Sequence, residues 1–360
     1  ATTSKSTLST EFILNNDQKA TGVNRYLDAV NGKQTPTLPV WLMRQAGRYL
    51  PEYMDVRNKH SFLEVCHTPE LTCEVTIQPI RRYNFDAAIL FSDILVPLEP
   101  MGAKIDFNPG PVIENPLRTM DDLKQARAFD AADKLPEVLE AISMIRRELA
   151  DETALIGFAG APFTLASYWI EGGKPEPFAN IKGMMYTNPE LFHDFLDQLA
   201  KMVADYLVQQ AKAGADAVQL FDTWAGVLTE REYRAHLLKP LQSIFSHLRE
   251  AGIPSTYYAR SSAHLLPVLG ELGADVISLD WRIDINRAKE MFGESAVLQG
   301  NLDPTVLLGD EATIRRETRH VLDQVGDRPH VFNLGHGILR MTPIDNVHIM
   351  LDEIRSGGKG

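Results

Sequence analysis

The sequence predicts an α/β protein, a single (β/α)8 barrel of the TIM type. Short apolar runs rich in β-branched and aromatic residues recur along the chain, and patterns of helical period lie between them. These runs are too continuously apolar to face water, which predicts strands of a parallel sheet that is covered on both faces. The sequence contains eight such runs, the number that closes a barrel. A doubly wound open sheet is the alternative.

The strand and helix patterns follow one another in a regular order. In chain order the predicted strands are 39–43, 86–91, 154–158, 217–221, 255–258, 275–279, 296–299 and 330–334. Helical patterns such as 190–212 and 264–272 separate them. Gly-Ala-Asp occurs at 214–216 and at 273–275, where a glycine that ends a helix leads into a strand. In a barrel, chemistry is expected at the carboxyl ends of the strands.

Composition excludes several classes of protein. The chain has 360 residues, of which 44% are hydrophobic and 23% are charged, as in an ordinary soluble domain. No apolar run approaches the roughly 18 residues of a membrane span. The net charge of −12 disfavours nucleic-acid binding. Cys66 and Cys73, expected on one helix roughly 10 Å apart, are too distant for a disulfide, so we expect an enzyme of a reducing compartment.

The first residues differ in composition from the rest. Residues 1–10 hold seven Ser or Thr, one Lys and no acid, which is typical of the remainder of an organelle transit peptide. A flexible tail without a targeting role is the alternative. We expect residues 1–20 to form a flexible tail and residues 21–355 to form one barrel domain, because no low-complexity linker divides the interior.

Two arginines directly follow the first predicted strand. Arg44 and Arg48 are four residues apart, so a helical turn would point both guanidinium groups the same way. Two planar forks on one wall suit carboxylate or phosphate recognition, and Gly47 leaves room for a ligand oxygen near the backbone. The alternative is a solvated basic face paired with Glu52 and Asp55.

A lone carboxylate follows the second predicted strand. Asp93 is the only charged residue between positions 87 and 98. A buried carboxylate is very unfavourable unless it gains N–H donors, a cation or a ligand. Asp93 is therefore either a ligand-binding group or a helix N-cap or structural partner of a barrel arginine.

Three further strand ends carry candidate binding groups. Tyr168 lies on the second turn of a helix that begins near Pro162; the alternative is a core residue with a satisfied hydroxyl. Thr223 lies in a segment rich in hydrogen-bonding groups, and His336 is flanked by two glycines. No phosphate-binding loop, dinucleotide fingerprint, serine-hydrolase elbow or zinc motif is present. The residues therefore indicate a cofactor-free enzyme that binds a small polyanion.

Four motifs resemble the uroporphyrinogen decarboxylase family, and they occur in the family's order. They are residues 39–52 (PVWLMRQAGRYLPE), 91–97 (FSDILVP), 157–165 (GFAGAPFTL) and 333–337 (NLGHG). The similarity runs from about residue 24 to residue 353. It implies a single barrel, usually a homodimer, that converts the four acetates of uroporphyrinogen III to methyl groups. The product is coproporphyrinogen III, a precursor of haem and chlorophyll, and no metal or cofactor is needed. With the N-terminal composition, it predicts a plant form in the plastid stroma; the alternative is the cytoplasm.

The resemblance also implies roles for individual residues. Arg44, Arg48 and Asp93 would be the catalytic residues, with the arginines on substrate carboxylates. Asp93 would accept the pyrrole N–H groups and stabilise a cationic intermediate. The implied substrate-binding residues are Arg44, Gln45, Ala46, Gly47, Arg48, Arg57, Asp93, Tyr168, Thr223 and His336. Thr223 stands where serine is common in the family, and its hydroxyl is retained.

Two other functions fit the same sequence features. Corrinoid-dependent methyltransferases share the fold but need a zinc-thiolate site, and this chain offers only Cys66, His67 and Cys73 on one predicted helix. A non-catalytic tetrapyrrole carrier would keep the same binding residues. The intact set of Arg44, Arg48 and Asp93 favours a catalyst.

Overall fold

The computed structural model describes residues 24–107, 110–293 and 295–357. Seven parallel strands form one sheet in the order β1-β4-β5-β6-β7-β8-β9, and β2 and β3 form a separate antiparallel hairpin. The strands are β1 Ala87–Ile89, β2 Ile105–Phe107, β3 Pro111–Ile113, β4 Ala154–Gly160, β5 Ala217–Asp222, β6 Ser255–Ala259, β7 Val276–Ser278, β8 Val297–Gln299 and β9 His330–Val331. The expected tail at 1–20 lies outside the described residues.

The first predicted strand, 39–43, forms only a single parallel bridge, between Val40 and Phe332. On its other side the Asp86 N–H donates to the Val40 carbonyl at 2.9 Å. The segment therefore lies between β9 and β1 and occupies the eighth position of the barrel.

Side chains take the hydrogen bonds that a full strand would make in this segment. The Val40 N–H donates to Asp86 Oδ2 at 2.9 Å, and the Met43 N–H donates to Asn333 Oδ1 at 2.9 Å. Pro39 has no N–H to give. An extended segment thus lies where the sequence predicts a strand at 39–43, but it does not form a continuous ladder of backbone hydrogen bonds with its neighbours.

Helices connect the strands and cover the outside of the sheet. They are α1 Arg25–Val30, α2 Pro51–Arg57, α3 Phe62–His67, α4 Pro69–Tyr83, α5 Met120–Leu123, α6 Ala131–Lys134, α7 Pro136–Glu148, α8 Pro162–Glu171, α9 Ala179–Thr187, α10 Pro189–Ala213, α11 Glu230–His236, α12 Leu238–Glu250, α13 Leu266–Leu269, α14 Ile285–Phe292, α15 Glu311–Val325 and α16 Ile344–Arg355. None of the helices in the described ranges is long and apolar enough to cross a membrane.

Two helix predictions differ in outcome. The pattern at 190–212 is confirmed by α10, which ends at Gly214, where a φ of +129° suits glycine. The pattern at 264–272 gives only a 3-10 turn and the short α13.

The expectation that Cys66 and Cys73 share a helix is wrong, because Pro69 starts α4 after an extended residue and separates them.

Side chains of the sheet alternate between two cores. In β4, Ala154 and Ile156 belong to the cluster inside the barrel, whereas Leu155 belongs to the cluster under the helices. The strands are therefore buried on both faces, as their apolar runs predict. Polar groups also cross the interior: Trp41 Nε1 donates to Gln299 Oε1 at 3.0 Å, and Gln299 Nε2 donates to Gln219 Oε1 at 3.0 Å.

Candidate active site

Five of the predicted site residues lie on segments that follow the carboxyl ends of barrel strands. Arg44 follows residues 39–43, the segment that closes the barrel between β9 and β1 and is called the closing segment below. Asp93 follows β1, Tyr168 lies on α8 after β4, Thr223 follows β5 and His336 follows β9. The charge of Arg44 acts on Asp93, on Tyr168 and on His336, so these groups are close enough to influence one another. The structure thus brings Arg44, Asp93, Tyr168 and His336 together.

The loop that carries the two arginines is a run of turns. The expectation of a helical turn is wrong, since Arg44 has a left-handed φ of 63°. Its neighbour Gln45 is buried and ties the loop to the barrel: the Leu42 N–H donates to Gln45 Oε1 at 3.0 Å, and Gln45 Nε2 donates to the Ala87 carbonyl at 3.0 Å. These two bonds fix the backbone from which Arg44 extends.

Small residues allow this loop to pack tightly. A Cβ at Gly47 would lie 3.0 Å from the Arg44 carbonyl, so a side chain there would force the turn to shift by a few tenths of an ångström. Ala46 packs against the hydrophobic core. A side chain at Gly337 would overlap the aliphatic part of Arg44. Both glycines therefore serve the position of Arg44.

Arg48 and Arg57 gather around a different group, Tyr53. Arg48 is exposed, whereas Arg57 is half-buried, donates to the His60 carbonyl and lies 5.6 Å from the ring centroid of Phe62. Burial raises the pKa of the Tyr53 hydroxyl, and the charges of Arg57 and Arg48 oppose that rise. The three arginines consequently divide into one beside Asp93 and two beside Tyr53.

Asp93 has one oxygen in use and one free. The Leu95 N–H donates to Asp93 Oδ1 at 2.8 Å, while Oδ2 receives no hydrogen bond from any residue that the structure describes. Burial raises the pKa of Asp93 to about 6; the Leu95 N–H and the charge of Arg44 oppose this rise, and Glu99 adds to it. The capping interpretation therefore accounts for Oδ1 and leaves Oδ2 available to a ligand.

A histidine on α3 holds the segment that follows Asp93. His67 Nε2 lies 2.9 Å from Glu99 Oε2, and His67 Nδ1 lies 3.1 Å from Glu137 Oε1. These carboxylates raise the pKa of His67 to about 9, with the Glu99 hydrogen bond the largest cause. The imidazolium therefore joins the Asp93 segment to α7 and offsets the charge of Glu99.

His336 is neutral at pH 7. Burial, followed by the charges of Arg44, Arg260 and Arg282, lowers its pKa to about 3. Its Nδ1 lies 3.0 Å from the hydroxyl of Tyr258. The pattern of a histidine between two glycines has a packing cause, because side chains at 335 and 337 would overlap Trp281 and Arg44.

Tyr168 and Thr223 lie near Trp224. The rings of Tyr168 and Trp224 are 6.0 Å apart in an edge-on arrangement, and burial raises the pKa of Tyr168. Thr223 precedes Trp224 and follows Asp222, a fully buried carboxylate that accepts a hydrogen bond from Thr164 Oγ1 at 2.7 Å. The turn after β5 is thereby anchored to α8.

The sequence did not single out every polar group of this site. Tyr258 lies in a strand that the sequence marks only as aromatic, and its hydroxyl donates to the Gly335 carbonyl at 2.9 Å. The strand-end pattern of the sequence includes Arg260, directly after β6, among the polar residues but gives it no role. Its position after a buried strand, like that of Arg44, was the available signal.

Fold and site together define a barrel enzyme in which the Arg44 guanidinium, without an ion pair among the residues that the structure describes, lies near the half-buried carboxylate of Asp93. The family model described as uroporphyrinogen decarboxylase matches residues 21–357. A uroporphyrinogen decarboxylase of Trichlorobacter lovleyi is 49% identical over 330 residues, which cover 91% of this chain and 97% of the relative. One from Carboxydothermus hydrogenoformans is 47% identical over 332 residues, covering 91% and 95%. The chain belongs to the uroporphyrinogen decarboxylase family.

Solved structures show the same fold at low identity. A methyltransferase from Methanosarcina mazei matches with a TM-score of 0.77 at 22% identity, covering 93% of this chain and 98% of that chain. A B12-independent methionine synthase from Shewanella sp. W3-18-1 matches with a TM-score of 0.55 at 12% identity, covering 90% and 95%. The barrel prediction is confirmed over the open-sheet alternative.

The expectation of a plant plastid form finds no support in the comparisons. The relatives reported above come from bacteria, which favours the cytoplasmic alternative. Residues 1–10, whose composition gave rise to the plastid expectation, lie outside the described part of the chain.

Proposed function

We propose that the chain removes the carboxyl groups of the four acetate side chains of uroporphyrinogen III and releases coproporphyrinogen III. The observation that carries the proposal is Asp93, whose free Oδ2 lies in the same site as the Arg44 guanidinium. A cyclic tetrapyrrole has N–H groups at its centre and carboxylates at its rim. It therefore matches a site with an acceptor and cations at separate positions.

The chemistry requires an electron sink on the pyrrole ring. Protonation of the ring carbon next to the one that bears the acetate gives a cation, and loss of carbon dioxide sends the bonding electron pair into the ring. A second proton on the exocyclic carbon completes the methyl group, and the ring carbon then gives up the first proton, which restores the aromatic pyrrole. Asp93 accepts the pyrrole N–H groups and places a negative charge beside the developing cation. Its partly desolvated position strengthens that interaction.

The arginines bind and orient the carboxylates. Arg44 and Arg48 are the principal cations. Arg57, whose charge acts on Tyr53 as that of Arg48 does, adds positive charge on the same side of the site. Guanidinium pKa values above about 12 make arginine a poor acid, so we assign these side chains to orientation rather than to proton donation. The turn formed by Gln45, Ala46 and Gly47 lines the same side of the site.

Three neutral groups complete the rim: Tyr168, Thr223 and His336. The hydroxyl groups of Tyr168 and Thr223 can each donate a hydrogen bond to a carboxylate. Because the single hydroxyl hydrogen of Tyr258 goes to the Gly335 carbonyl, His336 donates from Nδ1 to the Tyr258 oxygen, and its Nε2 is left as an acceptor. The protein acts as a cytoplasmic homodimer, with residues 21–355 as the catalytic unit.

Anaerobic incubation with uroporphyrinogen III in a buffer that contains a chelator tests the activity directly. Chromatography of the oxidised products should show stepwise loss of carboxyl groups down to the tetracarboxylate. An Asp133→Asn variant, changed at an exposed acid on α6, is the matched control for charge removal and should behave as the unchanged protein. Stoichiometric binding without any product would instead identify a tetrapyrrole carrier.

A further inference from the structure

A second free guanidinium lies in the site, on Arg260. This residue directly follows β6, at the same edge of the barrel as Arg44. The charges of Arg260 and Arg44 act on the same three groups, since both influence the pKa values of Tyr168, Tyr258 and His336. The two cations therefore border one region of the site.

Arg260 has no counter-ion among the residues that the structure describes. No carboxylate in those ranges lies within ion-pair distance of it, and its Nε is buried without a hydrogen-bond acceptor. A buried N–H of a charged group that lacks an acceptor is energetically unfavourable. The guanidinium carbon lies 6.0 Å from the ring centroid of Trp224. An anion delivered by a ligand would satisfy the guanidinium.

The backbone around Arg260 is held in place. Ser261 has a left-handed φ of 55°, and its N–H donates to Asp280 Oδ2 at 2.9 Å. Ser262 Oγ donates to the Ala259 carbonyl at 2.7 Å, and a side chain at Gly226 would overlap the carbonyl of Arg260. The turn is thus arranged before a ligand arrives, which reduces the entropy lost on binding.

Arg282, a neighbouring arginine, differs from Arg260 because it forms an ion pair with a carboxylate. Arg282 Nη1 lies 2.8 Å and 3.0 Å from the two oxygens of the fully buried Asp280, and its guanidinium carbon lies 3.6 Å from the ring centroid of Trp281. Its charge is therefore already neutralised. Asp280 binds Arg282 through its carboxylate and holds Arg260 only through the Ser261 backbone, so that Arg260 stays available.

We infer that Arg260 binds a carboxylate at the rim of the tetrapyrrole, on the side of the site bordered by Arg44 and His336. This inference rests on the proposed function for the identity of the ligand. It gives the site a third carboxylate-binding position, besides Arg44 and the Arg48–Arg57 pair. This position follows β6, whereas the other two follow the segment 39–43.

Three variants test the assignment: Arg260→Gln, Arg260→Lys and the control Arg231→Gln. Arg231 is an exposed residue of α11 and loses the same charge away from the site. We expect Arg260→Gln to raise the KM for uroporphyrinogen III about tenfold or more, with kcat changed less than about threefold. Arg260→Lys should recover most of the affinity, and the control should match the unchanged protein.

The results distinguish a binding function of Arg260 from a packing function and from failure of the proposed function. An unaltered KM in a folded Arg260→Gln variant, with melting temperature as the check on folding, would overturn the inference. Equal defects in the Gln and Lys variants would assign Arg260 a packing role instead. If the unchanged protein binds uroporphyrinogen III without turnover, the proposed function fails, and the same variants are then compared by dissociation constant.

Discussion

Replacement of Asp93 by asparagine separates the proposed catalytic function of this carboxylate from its effect on stability. Asparagine keeps the size of the side chain and an oxygen that accepts the Leu95 N–H bond, but it carries no charge. The ring cation formed during decarboxylation would then lack its negative partner. We expect kcat to fall by about two to three orders of magnitude, the effect typical of losing one preorganised electrostatic group.

The same variant should be more stable at neutral and alkaline pH. Burial raises the pKa of Asp93 from 3.8 to about 6, and a shift of about two units corresponds to about 3 kcal/mol. Because the carboxyl group is partly exposed, we take about 1–2 kcal/mol as the expected effect. The folded protein binds this proton more tightly than the unfolded chain, so stability declines as pH rises from about 4 through about 6.

Two measurements check this prediction. Urea unfolding should show Asp93→Asn more stable than the unchanged protein by about 1–2 kcal/mol at about pH 8, with the difference approaching zero below about pH 4. For the unchanged protein, kcat/KM should fall on the acid side of about pH 6, where free Asp93 becomes protonated. Asp133→Asn serves again as the control. Near-normal turnover of Asp93→Asn, or a stability difference independent of pH, would refute the reasoning.

Three further predictions follow from the described contacts and the expected domain limits. Arg44→Ala and Arg48→Ala should each raise KM about tenfold and reduce its dependence on salt, as kinetics at low and high ionic strength would show; an unchanged salt dependence would contradict an ionic contact. His67→Gln should lose about 1–2 kcal/mol of unfolding free energy at about pH 6 and little at about pH 10, because the pKa of His67 rises from 6.5 to about 9 on folding; a constant loss across this range would exclude the imidazolium. Deletion of residues 1–20 should leave kcat and KM within about twofold of the full chain, measured side by side, and a large loss would place these residues in the catalytic unit.

The sheet could be predicted because each strand carries its own signal. In β4 and β5, side chains on both faces are apolar, and this double burial is visible in the sequence without knowledge of any partner. The closing segment at 39–43 was harder to predict in detail. Its hydrogen bonds depend on Asp86 and Asn333, which the chain brings there from distant positions.

The site could be predicted only in part, for a related reason. Asp93 was identifiable because a single carboxylate in an apolar stretch must find an unusual environment. Arg260 and Arg282 look equivalent in the sequence, since each follows a strand by a residue or a few. Only the folded chain shows that Asp280 neutralises one of them and leaves the other free. Pairing is a three-dimensional property, so residue type and spacing cannot reveal it.

The acidic net charge does not prevent binding of a substrate with eight carboxylates. Charges farther than about 8 Å are largely screened at physiological salt, so the near neighbours of the site decide. Among them, Glu99 is offset by the imidazolium of His67, and Arg44 and Arg260 form no ion pair in the described part of the chain. Under the proposed function, a tetrapyrrole would therefore place its carboxylates at these cations and its N–H groups at Asp93. The proposed function would also account for a carboxylate at position 93 although burial makes its charge unfavourable, because that charge would be stabilising once the cationic intermediate forms.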